Sequence, residues 1–182
     1  MQPLPSIAFY SPNKPNYCSD HSQNSVFTSC RCKVFEGAHK TEAFTQLNAY
    51  NHIPTLEDGE FSMGESNAIC RYLALKYKPE LYPPTELELC GKIDFAMDVW
   101  AFEIDKLHAK VVYPVGFAEY YKHPEDLAAA VEAYIAALDK WGKTFLGNGK
   151  FVLGDKLSIA DFKVETLTLR LYSHTPCDYL CF

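Results

Sequence analysis

"NHIPTLEDGEFSMGES", residues 51–66, decides how this chain is read. It sets Pro54 inside what otherwise looks like strand, and a proline cannot donate to a ladder, so a central strand excludes it. The flanking runs Ile53–Leu56 and Glu60–Met63 enclose Asp58-Gly59, a strong hairpin signal. Glu65-Ser66 then opens a helix expected to run from Ser66 to Tyr77, with Ile69, Tyr72 and Leu73 on one side. A cis bond at Ile53-Pro54 would turn the Ile53 backbone outward at a strand end and offer its N–H and C=O to an extended, peptide-like ligand. The adjoining helix N-terminus suits a carboxylate, because its N–H groups and partial positive charge point that way. The Ser66 hydroxyl can donate to the same carboxylate, and Glu65 can hold a neighbouring ammonium. These groups fit one end of a small zwitterionic peptide. The same proline, hairpin and helix start also serve as plain architecture, and spacing alone leaves both readings open.

Working outward, Ile7–Tyr10 reads as a first strand and Cys32–Phe35 as a second, with Asn13–Ser29 poor in periodicity between them. Lys40–Asn48 reads as a short helix packing Phe44 and Leu47. After the proline-rich break Pro79–Pro84 the character changes. Thr85-x-x-Glu88 has the form of a capping box opening a long helix with Leu89, Ile93, Met97, Trp100, Ile104 and Leu107 at helical spacing. Pro124 suits a first helical turn, and Leu127, Val131, Tyr134, Ile135, Leu138, Trp141 and Phe145 continue as a stripe. Ser158-Ile-Ala-Asp161 caps a further helix, with Leu157 and Phe162 placed as a hydrophobic staple and Ala160, Val164, Leu167 and Leu171 as its inner line. The expected organisation is a small α/β half up to about residue 82 and an all-helical half after it.

Bulk composition narrows the function. The 182 residues are 48% hydrophobic and carry a net charge of -6, so a packed core is feasible. No lysine–arginine cluster offers a phosphate footprint, which argues against a nucleic-acid partner. No apolar run approaches the roughly 20 residues that span a bilayer. The start, Met1-Gln-Pro-Leu-Pro-Ser, does not have the form of a secretory signal, and an odd seven cysteines fits a reduced, cytoplasmic setting. Cys30-x-Cys32 and Cys177-x₃-Cys181 do not have the usual zinc-site spacing, so no metal is expected; Cys70 and Cys90 read as small apolar residues.

Glu36–Tyr77, with its apolar residue before proline, acidic-Gly hairpin and Glu-Ser helix start, resembles the second half of a glutathione transferase N-terminal domain. "FVLGDKLSIADF", residues 151–162, is similar to the capping motif of that family's helical domain. The resemblance implies an α+β thioredoxin-like N-terminal domain at 1–82 and an all-α helical bundle domain at 83–182, the latter shortened. It implies glutathione as co-substrate, no other cofactor, a small hydrophobic electrophile, and a homodimer. Ile53 would pair its backbone with the cysteinyl unit, Pro54 would be cis, and Glu65 and Ser66 would hold the γ-glutamyl end. His39 and His52 would meet the glycyl end, and Asp98 resembles a position that reaches glutathione in a dimer partner.

The implied chemistry is attack of the glutathione thiolate on an electrophile. A free thiol titrates near about 8.5, and one charge-assisted hydrogen bond of about 1.5–3 kcal/mol lowers that by about one to two units. The family puts the donor at or just after the first strand, where this sequence offers Tyr10 and Ser11, with Cys18 and Ser19 as later candidates. Asn13–Ser29 and the end, "YSHTPCDYLCF", depart from the family pattern. A binding or scaffold module that keeps the fold without the chemistry is therefore the alternative.

Overall fold

A computed structural model of the chain describes residues 6–8, 28–30 and 34–164. They divide into two compact units, one up to Tyr72 and one from Leu73 onward. The first carries a four-stranded sheet in the order β2-β1-β3-β4. β1 (Ser6–Ala8) runs parallel to β2 (Thr28–Cys30), with Ile7 opposite Ser29, and antiparallel to β3 (Thr55–Asp58), with Ser6 opposite Glu57. β3 pairs in turn with β4 (Phe61–Gly64), placing Thr55 opposite Gly64 and Leu56 opposite Met63.

The strands differ from the expected ones for local reasons. β2 ends at Cys30 rather than covering residues 32–35. Val34–Glu36 instead turns as a 3-10 helix closed by the Gly37 N–H on the Val34 carbonyl, so residues 34–36 cannot stay extended. β3 starts at Thr55, two residues later than expected, which leaves Pro54 outside the ladder. The Gly59-Glu60 turn follows, with Gly59 at φ 66°, a value its missing Cβ permits.

Two helices complete this unit. α1 (Glu42–Leu47) begins after a 3-10 turn at Ala38–Lys40, so Lys40 lies outside it, and Thr41 caps it by accepting the Phe44 N–H. Phe44, Leu56 and Thr55 are fully buried and Ile69 nearly so, which centres the core under the hairpin. α2 spans Ser66–Tyr77, as the sequence indicates, and the division between the units falls inside it.

The second unit is helical. α3 (Leu87–Val99) passes through a wide turn at Trp100–Ile104 into α4 (Asp105–Val111). Ile93, Met97, Trp100 and Ile104 are buried, as their spacing requires. The expected Thr85–Glu88 capping box does not form. A turn from Pro83 to Glu86 occupies this stretch and puts Glu86, with no side-chain cap, at the helix boundary. After the short α5 (Tyr113–Gly116) comes α6 (Leu127–Trp141), whose cap is Asp126 accepting the Ala129 N–H at 2.9 Å. Pro124 therefore precedes the helix. Tyr134, Trp141 and Phe145 are buried, but Ile135 is 59% exposed, since it lies about 100° around the helix from Tyr134. The Trp100 and Trp141 rings meet edge to face at 4.7 Å, and the Trp141 indole N–H donates to the Ala96 carbonyl.

The Ser158–Asp161 cap forms as expected. The Asp161 carboxylate accepts the Ser158 N–H at 2.8 Å and the Val152 N–H at 2.6 Å, while Ser158 Oγ accepts the Ala160 N–H at 3.3 Å. The helix it opens is described through residues 159–164, and Leu167 and Leu171 lie outside the described residues. Leu157 and Phe162 stay 41% and 42% exposed, so the staple is only partly covered. Among the described residues no helix is long and apolar enough to cross a membrane.

Candidate functional site

The first unit brings His39, His52, Ile53, Pro54, Glu65 and Ser66 into one region between the end of α1 and the start of α2. The Ile53-Pro54 bond is cis. Among the described residues, no hydrogen bond engages the Ile53 N–H or C=O. A half-buried main-chain segment with both polar groups open is uncommon, because such groups normally find a partner.

Beside it, Glu65 takes φ 66°, a left-handed value that costs a side chain roughly 1–2 kcal/mol. That conformation joins β4 to α2 in a single residue. The helical ladder starts with the Ile69 N–H on the Glu65 carbonyl, so the N–H groups of residues 66–68 form the first turn of α2. The partial positive charge of the helix therefore lies at Ser66. The Glu65 carboxylate extends back to His52, with Oε1 3.9 Å from Nδ1, and both side chains are solvated. This tie is weak in water but brings the two side chains together.

His39, in the turn before α1, is the electrostatic counterpart. Its Nδ1 is buried and, among the described residues, has no hydrogen-bond partner. Burial first, then the Lys40 and His52 charges, hold its pKa below the usual histidine value. Lys40 and His52 are the nearby basic groups that would favour an anion in this region. The arrangement can take a peptide with one carboxylate on the first turn of α2, a second toward the His39 side, and main-chain pairing at Ile53.

Sequence reading passed over Asn48. It is the cap residue after α1, and it is buried at 8% exposure. Its Nδ2 donates to the His52 carbonyl and to Thr55 Oγ1, both at 3.0 Å, and its Oδ1 accepts the Tyr50 N–H at 3.1 Å. The available signal was an asparagine at a helix end, a frequent source of side-chain-to-backbone bonds. Tyr10, Ser11, Cys18 and Ser19 lie outside the described residues, as do Cys32, Cys177 and Cys181. Asp98 lies on α3, in the second unit. Cys90 is buried and Cys70 half-buried, and among the described residues no His/Cys/Asp/Glu group has the makings of a metal site.

Comparison with known proteins identifies the family. The family model for the glutathione S-transferase N-terminal domain matches residues 27–75. Bovine glutathione S-transferase theta-1 is 36% identical over 137 residues, 72% of this chain and 57% of that protein. Mouse glutathione S-transferase theta-1 is 30% identical over 162 residues, 85% of this chain and 67% of that protein. A structure of human glutathione transferase theta-2, in complex with glutathione and an unknown ligand, superposes with a TM-score of 0.67 at 26% identity, over 76% of this chain and 59% of that one. The chain thus spans a little under three-fifths of the length of the bovine relative. The matched region contains the Ile53-Pro54 bend, the acidic-Gly hairpin and the Glu65-Ser66 helix start, and the chain belongs to the glutathione S-transferase family.

Proposed function

We propose that the chain is a cytoplasmic glutathione transferase that activates the glutathione thiolate for attack on a small hydrophobic electrophile. One observation supports the reading: among the described residues no hydrogen bond engages the Ile53 backbone, which follows His52, whose side chain lies 3.9 Å from Glu65 at the start of α2. Residues 1–82 form the glutathione-binding domain and residues 83–182 the helical domain. Ile53 pairs with the cysteinyl main chain, as in strand addition. Glu65 takes the γ-glutamyl ammonium and Ser66, with the α2 N-terminus, its carboxylate. His39 and His52 face the glycyl carboxylate. A hydroxyl from Tyr10 or Ser11 donates to the sulfur anion and so favours the thiolate at neutral pH. Glutathione is a co-substrate, and the working unit is a homodimer in which Asp98 approaches the partner's tripeptide.

The test is conjugation of a generic aryl halide by the chain and by its Tyr10→Phe and Ser11→Ala variants. Loss of turnover with retained glutathione binding in one variant identifies the donor. Unchanged turnover in both removes the assignment. A second reading, a glutathione-binding module without conjugation chemistry, is favoured by Asn13–Ser29, which lacks the amphipathic stripe that the family has after its first strand. Binding by the parent without turnover would select that reading.

A further inference from the structure

Resting on the glutathione-binding reading, we propose that Asn48 is the positioning residue that aims the Ile53 N–H at the tripeptide main chain. Which end of the Asn48 amide faces which neighbour is fixed by chemistry. The Tyr50 N–H can only donate, so it meets Oδ1, and the His52 carbonyl can only accept, so it meets Nδ2. The same His52 carbonyl accepts a second bond, from Thr55 Oγ1 at 2.9 Å, and Thr55 Oγ1 accepts from Asn48 Nδ2 at 3.0 Å. Thr55 is fully buried and its bond to Asn48 is out of water, while the two bonds to the His52 carbonyl are partly buried, so the three groups form a closed polar knot.

This knot holds one face of the His52–Ile53 peptide. That bond is trans, and in a planar trans peptide the C=O and N–H point in opposite directions. With the His52 oxygen drawn onto Asn48 and Thr55, the Ile53 N–H is directed away from the knot, where no described residue meets it. The loop is held at its other end too: the Asn51 N–H donates to the Asn48 carbonyl, and Thr45 Oγ1 donates to Asn51 Oδ1 at 2.7 Å. Rotation of the peptide plane would break both bonds to the His52 oxygen at once. Pre-setting this donor spares the ligand the cost of ordering it.

The experiment uses the full chain with Asn48→Asp, which keeps the shape and the Tyr50 acceptor but removes both Nδ2 donors, and with Thr55→Val and Thr55→Ser. Calorimetry gives the glutathione dissociation constant, thermal melts confirm folding, and the ¹⁵N-resolved Ile53 amide signal reports its bond to the ligand. The expected result is about tenfold weaker binding in Asn48→Asp and Thr55→Val, with rescue to near the parent value in Thr55→Ser. The ligand-induced Ile53 amide shift should be lost or reduced in the first two only. A folded Asn48→Asp or Thr55→Val that binds within about twofold of the parent and keeps the Ile53 shift overturns the positioning role and leaves the binding reading intact. A parent that binds no glutathione overturns both.

Discussion

Asn48 and Gly64 share one small space: a Cβ built on Gly64 would lie 2.6 Å from Asn48 Nδ2. Gly64 sits opposite Thr55 in the hairpin, so β4 passes the buried amide at the point where that amide binds Thr55 and the His52 carbonyl. The glycine is needed here for room, not for a positive φ. Two residues sixteen positions apart thus pack closely beside the Thr55 hydroxyl.

Gly64→Ala should therefore destabilise the protein by about 1–3 kcal/mol, the usual range for forcing an extra carbon into a packed position. Urea unfolding measures it, and the displaced Asn48 amide should weaken glutathione binding as well. A midpoint equal to the parent's would mean that the amide moves aside without loss, contrary to its three hydrogen bonds.

Glu65 and Ser66 should separate stability from binding. Glu65→Gly removes a side chain from a left-handed φ, so folding stability should stay within about 1 kcal/mol of the parent or rise. Glutathione affinity should nonetheless fall, because the ammonium partner is gone. Ser66→Ala should weaken binding by about 1–3 kcal/mol through one lost charge-assisted bond. Calorimetry paired with thermal melts reads both effects, and parent-like dissociation constants in both variants would remove the γ-glutamyl assignment.

The lowered pKa of His39 gives a pH dependence with a definite sign. In the folded state this ring stays neutral to lower pH than in the unfolded chain, whose histidine titrates near 6.5. Between those two values the unfolded state binds more protons, so stability falls as pH drops through the window. His39→Gln should flatten that acid limb. Denaturant midpoints across the window check it, and an identical slope in parent and variant would show that His39 is not the linked group.

Asp161 joins two backbone N–H groups and one hydroxyl in the second unit. Asp161→Ala should cost about 2–4 kcal/mol, since it removes a helix cap and leaves the Val152 N–H without its carboxylate. Asp161→Asn should cost less, because an amide oxygen still accepts. Chemical unfolding tests the order of the two, and equal losses would assign the effect to the carboxylate charge instead of to the retained shape and acceptor oxygen.

Much of the fold could be read in order along the chain. The hairpin signal at Asp58-Gly59, the Ser66 helix start and the Ser158–Asp161 cap are local, each complete within about four residues. The helix start and the cap appear where expected, and the hairpin turn falls one residue later, at Gly59-Glu60. The cap at Thr85 failed because a competing Pro83–Glu86 turn used the same residues. The second strand was misplaced because Gly37 let residues 34–36 curl into a turn that periodicity cannot detect.

What the sequence determined by itself was the Pro54 bend, the hairpin after it and the helix start at Ser66, because backbone chemistry and short-range spacing encode them. What only the tertiary structure decided was how that site is held. The Asn48 amide, the Thr55 hydroxyl and the bare Gly64 meet through packing of a helix end against a hairpin, and the orphaned His39 nitrogen arises from burial. Contacts between separate elements depend on distances that no local pattern records, so the bend was legible and its support was not.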